Sequence, residues 1–217
     1  MKKSMKLNKA FHELVKNWDS RPFRMIIIGD THIPDRIRVL HPELISSIRD
    51  HHPDGIIHTG DICQLEVLDM LNQIAPVLAV RGNRDLLLAN LLPTQVSFSI
   101  HGLKITCLHG HGKPLYYLVD KAYFIFTGRQ QRFTLPWLEH NFCSSQMIIY
   151  GHTHIKRNQK IGDQVFFNPG SPTKSAFENG ILSYGVVTVY PDRRIDTEFE
   201  NLSGWRRNGR DWEKEKP

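Results

Sequence analysis

Acidic, amide and histidine side chains recur along the chain in short motifs built around glycine. The motifs are Gly29-Asp30-Thr31-His32, Gly60-Asp61, Gly82-Asn83-Arg84-Asp85, His109-Gly110-His111 and Gly151-His152-Thr153-His154. Carboxylate, amide and imidazole donors without sulfur suit borderline divalent ions such as manganese, iron or zinc. The donors are too many for one tetrahedral zinc, but they suffice for two ions that share a bridging carboxylate. Two such ions clamp the attacking and leaving oxygens of a phosphoryl displacement.

Each motif taken singly also has a structural explanation. Asp61 could cap the helix predicted after it, and His58 or His109 could be a buried histidine with satisfied hydrogen bonds. The coincidence of five such loops favours a common metal site.

The motifs follow short apolar segments that predict buried strands. These segments are 25–28, 56–59, 76–80, 104–108 and 146–150. Helical segments at 42–50 and 65–72 separate the first three strands, which is typical of βαβ units in a mostly parallel sheet. Chemistry in open α/β sheets lies at the carboxyl ends of the strands, where these motifs are. Residues 96–100 and 104–108 predict a hairpin, and further strands are predicted at 164–167, 181–189 and 194–200. The fold class is therefore α/β.

The remaining segments suggest a division of the chain into three parts. Apolar residues at helical spacing over 5–18 predict an amphipathic helix that packs on the domain, within an N-terminal extension of residues 1–22. The domain itself is expected over 23–202, and a charged, frayed tail over 203–217. The aromatic segment 115–142 is expected to form core, and it is a candidate lid or homo-oligomer contact.

Bulk composition is that of an ordinary globular protein. The chain has 217 residues, with 40% hydrophobic and 23% charged residues, which suits one sizeable domain. Part of the net charge of +6 lies at the chain ends, which favours solvated ends over a nucleic-acid partner. Cys63, Cys107 and Cys143 form no C-x-x-C pair, so a reducing compartment is expected, with Cys63 and Cys107 in the core. Neither a signal peptide nor a membrane span is visible, and the expected location is cytoplasmic.

The order of the motifs resembles the calcineurin-like metallophosphoesterases, and in particular their small single-domain bacterial and archaeal phosphodiesterases. The resemblance runs from about Met25 to Glu200. It implies a four-layer αββα sandwich of two mixed β-sheets flanked by helices. It also implies two divalent metal ions, with manganese as the first choice and iron, zinc or nickel as alternatives. One metal would be held by Asp30, His32 and His154. The other would be held by Asn83, His109 and His152, with Asp61 bridging the two. A hydroxide between the metals would then attack the phosphorus atom in line.

Arg84 departs from the wider superfamily, whose phosphatase branches have a histidine at this position to protonate the leaving group. Arginine keeps its proton, but it can hold a phosphate oxygen. Pairing with the adjacent Asp85 is the alternative. His111 is the other candidate for contacting substrate or protonating the leaving group. The residues assigned to catalysis are thus Asp61, Asn83, Arg84 and His111.

The resemblance, together with Arg84, favours hydrolysis of a small or nucleotide-like phosphodiester. A phosphomonoesterase or protein phosphatase, or a nuclease with the same site, is the alternative. Nucleic acid is less favoured, since no basic run interleaved with aromatic residues marks a strand-binding groove. A non-catalytic protein-binding scaffold is a further alternative. One relative of this fold, a subunit of the retromer coat, is such a scaffold and has lost part of the ligand set, whereas every ligand position is filled here.

Overall fold

Two five-stranded mixed sheets form the centre of the protein. The computed structural model describes residues 3–110, 134–175 and 180–215, together with 119, 123 and 127. The first sheet contains β1 (Phe23–Ile28), β2 (Gly55–His58), β3 (Val77–Ala79), β9 (Leu182–Val189) and β10 (Ile195–Leu202). The second contains β4 (Gln95–Ile100), β5 (Leu103–Leu108), β6 (Met147–Ile149), β7 (Lys156–Ile161) and β8 (Gln164–Pro169). Their strand orders are β10-β9-β1-β2-β3 and β4-β5-β6-β8-β7.

Each sheet combines three parallel strands with two antiparallel ones. Strands β1, β2 and β3 run parallel, as do β5, β6 and β8. Strands β9 and β10 complete the first sheet in antiparallel pairs, and β4 and β7 do so in the second. The parallel strands are short and apolar because both of their faces are covered. Their carboxyl ends carry the predicted motifs to one edge of the sandwich.

Side-chain alternation along β1 separates two layers of the core. Met25 and Ile27 point between the sheets, where they pack with Ile105 and Cys107 of β5. Ile26 and Ile28 point the other way, toward the outer helices α2 (Leu44–Asp50) and α3 (Leu65–Asn72). On the far side of the second sheet, helix α4 (Thr134–Asn141) packs through Leu138. The layers run helix, sheet, sheet, helix, which confirms the αββα prediction.

Helix α1 (Lys3–Lys16) lies against the domain, as predicted. Its Phe11 is fully buried in the core between the sheets and meets Phe23 and Phe98 edge-on, at ring distances of 6.1 and 5.2 Å. Asn8 exchanges two hydrogen bonds with the backbone of Ala79, at 2.9 and 3.1 Å. The helix therefore covers the β3 end of the inner core. No helix within the described ranges is long and apolar enough to cross a membrane.

The prediction of a frayed C-terminal segment is wrong. Strands β11 (Trp205–Asn208) and β12 (Asp211–Lys214) pair as an antiparallel hairpin. Trp212 anchors the hairpin, because its Nε1 donates to the Val39 carbonyl at 3.0 Å and its ring meets His41 edge-on at 4.9 Å. The division of the chain at residues 22 and 203 stays a prediction, but the last segment is ordered against the loop that follows β1.

Candidate metal centre

The loops that carry the motifs have unusual backbone conformations. Asp30, His32, Asp61, His152 and His154 all have positive φ, between 51° and 72°. Residues with a Cβ rarely adopt this region, and such conformations persist where the surroundings enforce them. Two inter-loop hydrogen bonds help to do so, from the amide of Asp30 to the Gly60 carbonyl and from the amide of His32 to the Asp61 carbonyl, both at 2.9 Å. Backbone strain thus concentrates at the predicted ligands.

Glycine allows the loops to approach one another closely. A Cβ on Gly82 would lie 2.2 Å from both the amide nitrogen and Oδ1 of Asp61. A Cβ on Gly151 would lie 2.8 Å from Oδ2 of Asp30. Any side chain at these positions would push the acidic residues out of place, so Gly82 and Gly151 are required for close packing of the loops.

The first cluster of donor atoms contains Asp30, His32 and His154. The Nε2 atoms of His32 and His154 are 3.1 Å apart, and Nε2 of His154 is 3.4 Å from Oδ1 of Asp30. Oδ2 of Asp61 lies 3.7 Å from Nε2 of His32. All these side chains are buried, with His154 the most exposed at 8%.

The second cluster contains Asn83, His109 and His152. Oδ1 of Asn83 lies 3.0 Å from Nε2 of His109 and 3.1 Å from Nδ1 of His152. Oδ1 of Asp61 is 3.5 Å from Nε2 of His109. The two carboxylate oxygens of Asp61 therefore face different clusters, so all seven residues predicted as ligands converge in the division that was predicted.

Hydrogen bonds behind the imidazole rings fix which nitrogen carries the proton. Nδ1 of His109 donates to the Thr59 carbonyl at 2.8 Å, and Nδ1 of His154 donates to the Lys174 carbonyl at 2.7 Å. In the neutral rings each Nε2 is then a lone pair that points into its cluster. Nε2 of His109 consequently meets an amide oxygen with no proton between them. Such convergence of lone pairs is unfavourable without a cation, and the donor sets therefore fit divalent ions.

Burial and charge also fit a cation. Oδ1 of Asp30 is buried and has no hydrogen-bond partner among the described residues. Burial opposes ionisation of Asp30, but the His154 imidazole holds its pKa below the usual range. Burial lowers the pKa of His32 to about 2, so this ring is neutral and able to coordinate. Burial raises the pKa of Asp61, whose charge is costly until a cation offsets it.

Asp85 is a site residue whose role the sequence reasoning missed. Its buried carboxylate accepts from the amides of Asp61 and Gly82 through Oδ2, at 2.9 and 2.7 Å. Oδ1 accepts from the amides of Ile62 and Cys63, at 2.8 and 2.7 Å. This carboxylate joins the Asp61 loop to the Gly82 loop. The only available signal was its position three residues after Gly82, which is typical of an aspartate that binds local backbone amides.

The turn at 168–171 also supports the site, although the prediction assigned it no role. The hydroxyls of Ser171 and Thr173 both donate to the Asp30 carbonyl at 2.9 Å. Nδ2 of Asn168 donates to the Gly151 carbonyl at 2.7 Å. The turn therefore connects the loops of Asp30 and His152.

Arg84 does not pair with Asp85, contrary to the alternative above. Its guanidinium donates to Asp35 at 2.8 Å, and its backbone amide donates to Oδ1 of Asp61 at the same distance. The Asp85 carboxylate is already occupied by backbone amides. His111 lies outside the described residues, as does most of segment 115–142.

The structure tests the structural explanations offered for single motifs. Asp61 does not cap α3, whose N-cap residue is Gln64 with no side-chain cap bond. His58 is a satisfied buried histidine, because it accepts from the Gly60 amide at 3.2 Å and lies 3.1 Å from the Thr31 hydroxyl. His109 lies in the second donor cluster, where its Nε2 is 3.0 Å from Oδ1 of Asn83 and 3.3 Å from Nδ1 of His152.

The two core cysteines differ from expectation in one case. Cys107 is fully buried, as predicted, whereas Cys63 is half-buried in the loop after Asp61. The Cys63 sulfur and the donor atoms of His32 and Asp35 lie within 4.8 Å of one another. Burial and nearby carboxylates raise the pKa of its thiol to about 12, so it is a poor ligand beside the imidazole–carboxylate set.

Comparison with known proteins identifies the class to which this fold and site belong. A calcineurin-like phosphoesterase superfamily domain matches residues 23–192. A probable metallophosphoesterase from Methanothermobacter thermautotrophicus is 31% identical over 147 residues, which cover 68% of this chain and 76% of the relative. A second, from Methanocaldococcus jannaschii, is 32% identical over 147 residues, with 68% and 67% coverage. The chain belongs to the calcineurin-like phosphoesterase superfamily, which confirms the resemblance.

Solved structures with the same fold include Vps29 and a predicted phosphoesterase. Vps29 from Entamoeba histolytica, in a complex with zinc, superposes with a TM-score of 0.62 at 22% identity, over 82% of this chain and 99% of that one. A predicted phosphoesterase from Streptococcus pneumoniae gives 0.53 at 19% identity, over 83% and 98%. At these identities the likeness establishes the fold alone.

Proposed function

We propose that this protein is a phosphodiesterase with a dinuclear metal centre. The observation that carries the proposal is the placement of the two Asp61 oxygens, at 3.7 Å from His32 and 3.5 Å from His109. A carboxylate shared between two donor sets is the arrangement that positions two ions side by side. Membership of a metal-dependent phosphoesterase family supports the same conclusion.

Each of the proposed ligands has a defined role in the site. Asp30, His32 and His154 would hold one divalent ion, Asn83, His109 and His152 the other, and Asp61 both. Manganese is the first candidate, since mixed oxygen and nitrogen donors do not select strongly among such ions. The ions, when bound, supply Lewis acidity to the phosphoryl group and lower the pKa of water. Asn83 would also help to orient the phosphoryl group.

Arg84 supports a diester rather than a monoester. The hydrogen bond from its amide to Asp61 places it beside the centre, and its side chain is 44% exposed, so it is accessible to a substrate. Arginine can hold a non-bridging phosphate oxygen, but it cannot protonate a leaving group. We therefore assign Arg84 to substrate binding, with His111 as the candidate proton donor.

The preference is tested by comparing hydrolysis of bis(para-nitrophenyl) phosphate and para-nitrophenyl phosphate by the manganese-loaded protein. We expect the diester to have the larger kcat/KM. The variants Asp61→Asn and His109→Ala should each lower kcat on the diester by at least about 100-fold. His12→Ala alters an exposed histidine of α1 and should leave kcat unchanged. Full activity in both site variants would refute the assignment.

Metal content gives a second, independent readout. Elemental analysis should find close to two manganese ions per wild-type chain and fewer in Asp61→Asn. Anomalous scattering from crystals should place two peaks, one in each cluster. A single peak would contradict the dinuclear centre. The kinetic assay would then still test whether the protein is an esterase with one metal ion.

A further inference from the structure

Four cationic residues lie next to the proposed ligands or next to one another. They are Arg36, Arg84, Lys174 and Arg207. Arg36 is half-buried, and the other three are exposed. They come from four separate segments of the chain, so their proximity is a product of the fold and not of a charge run.

Backbone hydrogen bonds tie three of these residues directly to proposed ligands. The Arg36 amide donates to the His32 carbonyl at 2.8 Å. The Lys174 carbonyl accepts from Nδ1 of His154 at 2.7 Å, and the Arg84 amide donates to Asp61 at 2.8 Å. The chain positions of these cations are therefore set by the ligands themselves.

Arg207 arrives from a different part of the chain. It lies on β11 of the C-terminal hairpin, and its guanidinium donates to the Arg36 carbonyl and to the Gly209 carbonyl, both at 2.7 Å. The backbone of the hairpin is fixed to the same loop, because the Arg38 amide donates to the Arg210 carbonyl at 2.9 Å. The hairpin lies beyond residues 23–192, to which the family match extends. Arg207 is thus an addition to the matched domain, and its side chain contacts the loop that carries Arg36.

The four cations are close enough to influence one another. Lys174 and Arg36 are hydrogen-bonded to His154 and His32, whose Nε2 atoms are 3.1 Å apart, and Arg207 is hydrogen-bonded to Arg36. Within the described residues, the ion pairs of these four cations comprise one contact, between Arg84 and Asp35. The four cations and Asp35 together carry a formal charge of +3, and such a positively charged group attracts anions.

We propose that Arg36, Lys174 and Arg207 form a second anion subsite, which binds a further phosphate group of the substrate beside the scissile diester. The inference rests on the proposed function, because the subsite adjoins the cluster of His32 and His154. It narrows the substrate class to nucleotide-like diesters that carry an additional phosphate. Arginine and lysine side chains bind phosphate through charge-assisted hydrogen bonds, and the two arginines can do so through paired N–H groups.

A matched pair of chromogenic diesters tests the subsite. One is the para-nitrophenyl ester of thymidine 5′-phosphate, and the other is the same ester with a second phosphate on the 3′ oxygen. We expect the second phosphate to lower KM by about tenfold in the wild type at low salt, as one charged contact would. Arg207→Gln should remove most of that advantage. Half-molar salt should reduce it as well, since the side chains are exposed.

Arg206→Gln is the matched control. Arg206 is the neighbouring residue on β11, and its guanidinium pairs with Glu213 at 3.0 Å, on the opposite face of the strand. Loss of net charge is the same in the two variants, so only Arg207→Gln should change the ratio of the two KM values. Equal KM values for the two esters in the wild type, or equal effects of the two variants, would overturn the subsite while leaving the diesterase intact.

Direct binding distinguishes failure of the proposed activity from failure of the subsite. If neither ester is hydrolysed, calorimetric titration with thymidine 3′,5′-bisphosphate still tests the cations. Binding that weakens by about fivefold or more in Arg207→Gln, and is unchanged in Arg206→Gln, would support the subsite without catalysis. No binding to the wild type, or the same affinity in all three proteins, would overturn it.

Discussion

Replacing Asp85 by asparagine should destabilise the fold far more than an isosteric change usually does. The carboxylate is 1% exposed, and each oxygen accepts two backbone N–H groups. An asparagine side chain has the same shape but only one oxygen. In either orientation of the amide, two buried N–H groups lose their acceptor and face an NH₂ group instead.

The expected cost follows from these two donors. Leaving a buried donor without an acceptor costs about 1–3 kcal/mol, so the variant should lose roughly 2–6 kcal/mol of unfolding free energy. Total stabilities of natural domains are about 5–15 kcal/mol, so this is a large fraction. The substitution also removes the connection between the Asp61 and Gly82 loops, so we expect weaker metal binding even at temperatures where the variant is folded.

Urea unfolding in the presence of EDTA measures this cost without a contribution from metal. Asp192→Asn is the matched control, because Asp192 is exposed and accepts one backbone amide, from Arg194 at 3.1 Å. The control should change the unfolding free energy by less than about 0.5 kcal/mol. If Asp85→Asn falls within that range of the wild type, the four hydrogen bonds do not stabilise the site as argued.

Further predictions concern charge, pH and space at the same loops. Asp61→Asn should abolish binding of two ions yet leave the EDTA-treated protein at least as stable as the wild type in urea, because burial raises the pKa of this carboxyl; a large loss would contradict this. Burial lowers the pKa of His58 from 6.5 to about 4, so its neutral form stabilises the fold at pH 7 and this contribution is lost as the pH falls. The wild type should therefore lose about 2 kcal/mol more than His58→Asn between pH 7 and pH 5, and parallel pH profiles in urea titrations would refute it. Gly82→Ala should cost at least about 2 kcal/mol in the same unfolding assay, since its Cβ would meet the Asp61 backbone. Gly162→Ala, where a Cβ meets nothing within 4 Å, should cost only the roughly 1 kcal/mol of its positive φ, and equal costs would exclude a steric cause.

Local sequence patterns predicted the parts of the molecule that depend on local chemistry. Strands β1 to β3 were readable because parallel strands covered on both faces must be apolar throughout, and glycine marks where they end. The convergence of the proposed ligands was predictable because the carboxyl ends of parallel strands meet at one edge. The helix over 65–72 matched α3 to the residue, since its apolar spacing is strong.

Local sequence patterns did not predict the contacts between distant segments. Asp85 binds amides more than 20 residues earlier in the chain, at Asp61, Ile62 and Cys63. The sequence around Asp85 does not predict these contacts. Arg84 forms an ion pair with Asp35 and not with the adjacent Asp85. The hairpin at 205–214 looked frayed because its stability comes from Trp212 and the loop near Val39, and not from its own polar sequence.

The ligand cluster is unfavourable by itself, and this explains why so many other residues support it. It combines left-handed backbone at residues with side chains, a buried carboxylate oxygen without a partner among the described residues, and an imidazole lone pair of His109 that faces the Asn83 amide oxygen. Asp85 holds the loop of Asp61, while Ser171 and Thr173 hold the carbonyl of Asp30. A fold that served only to bind proteins would gain stability by replacing the ligands with apolar residues. The complete ligand set, together with its supporting hydrogen bonds, is therefore better explained by a site that binds cations.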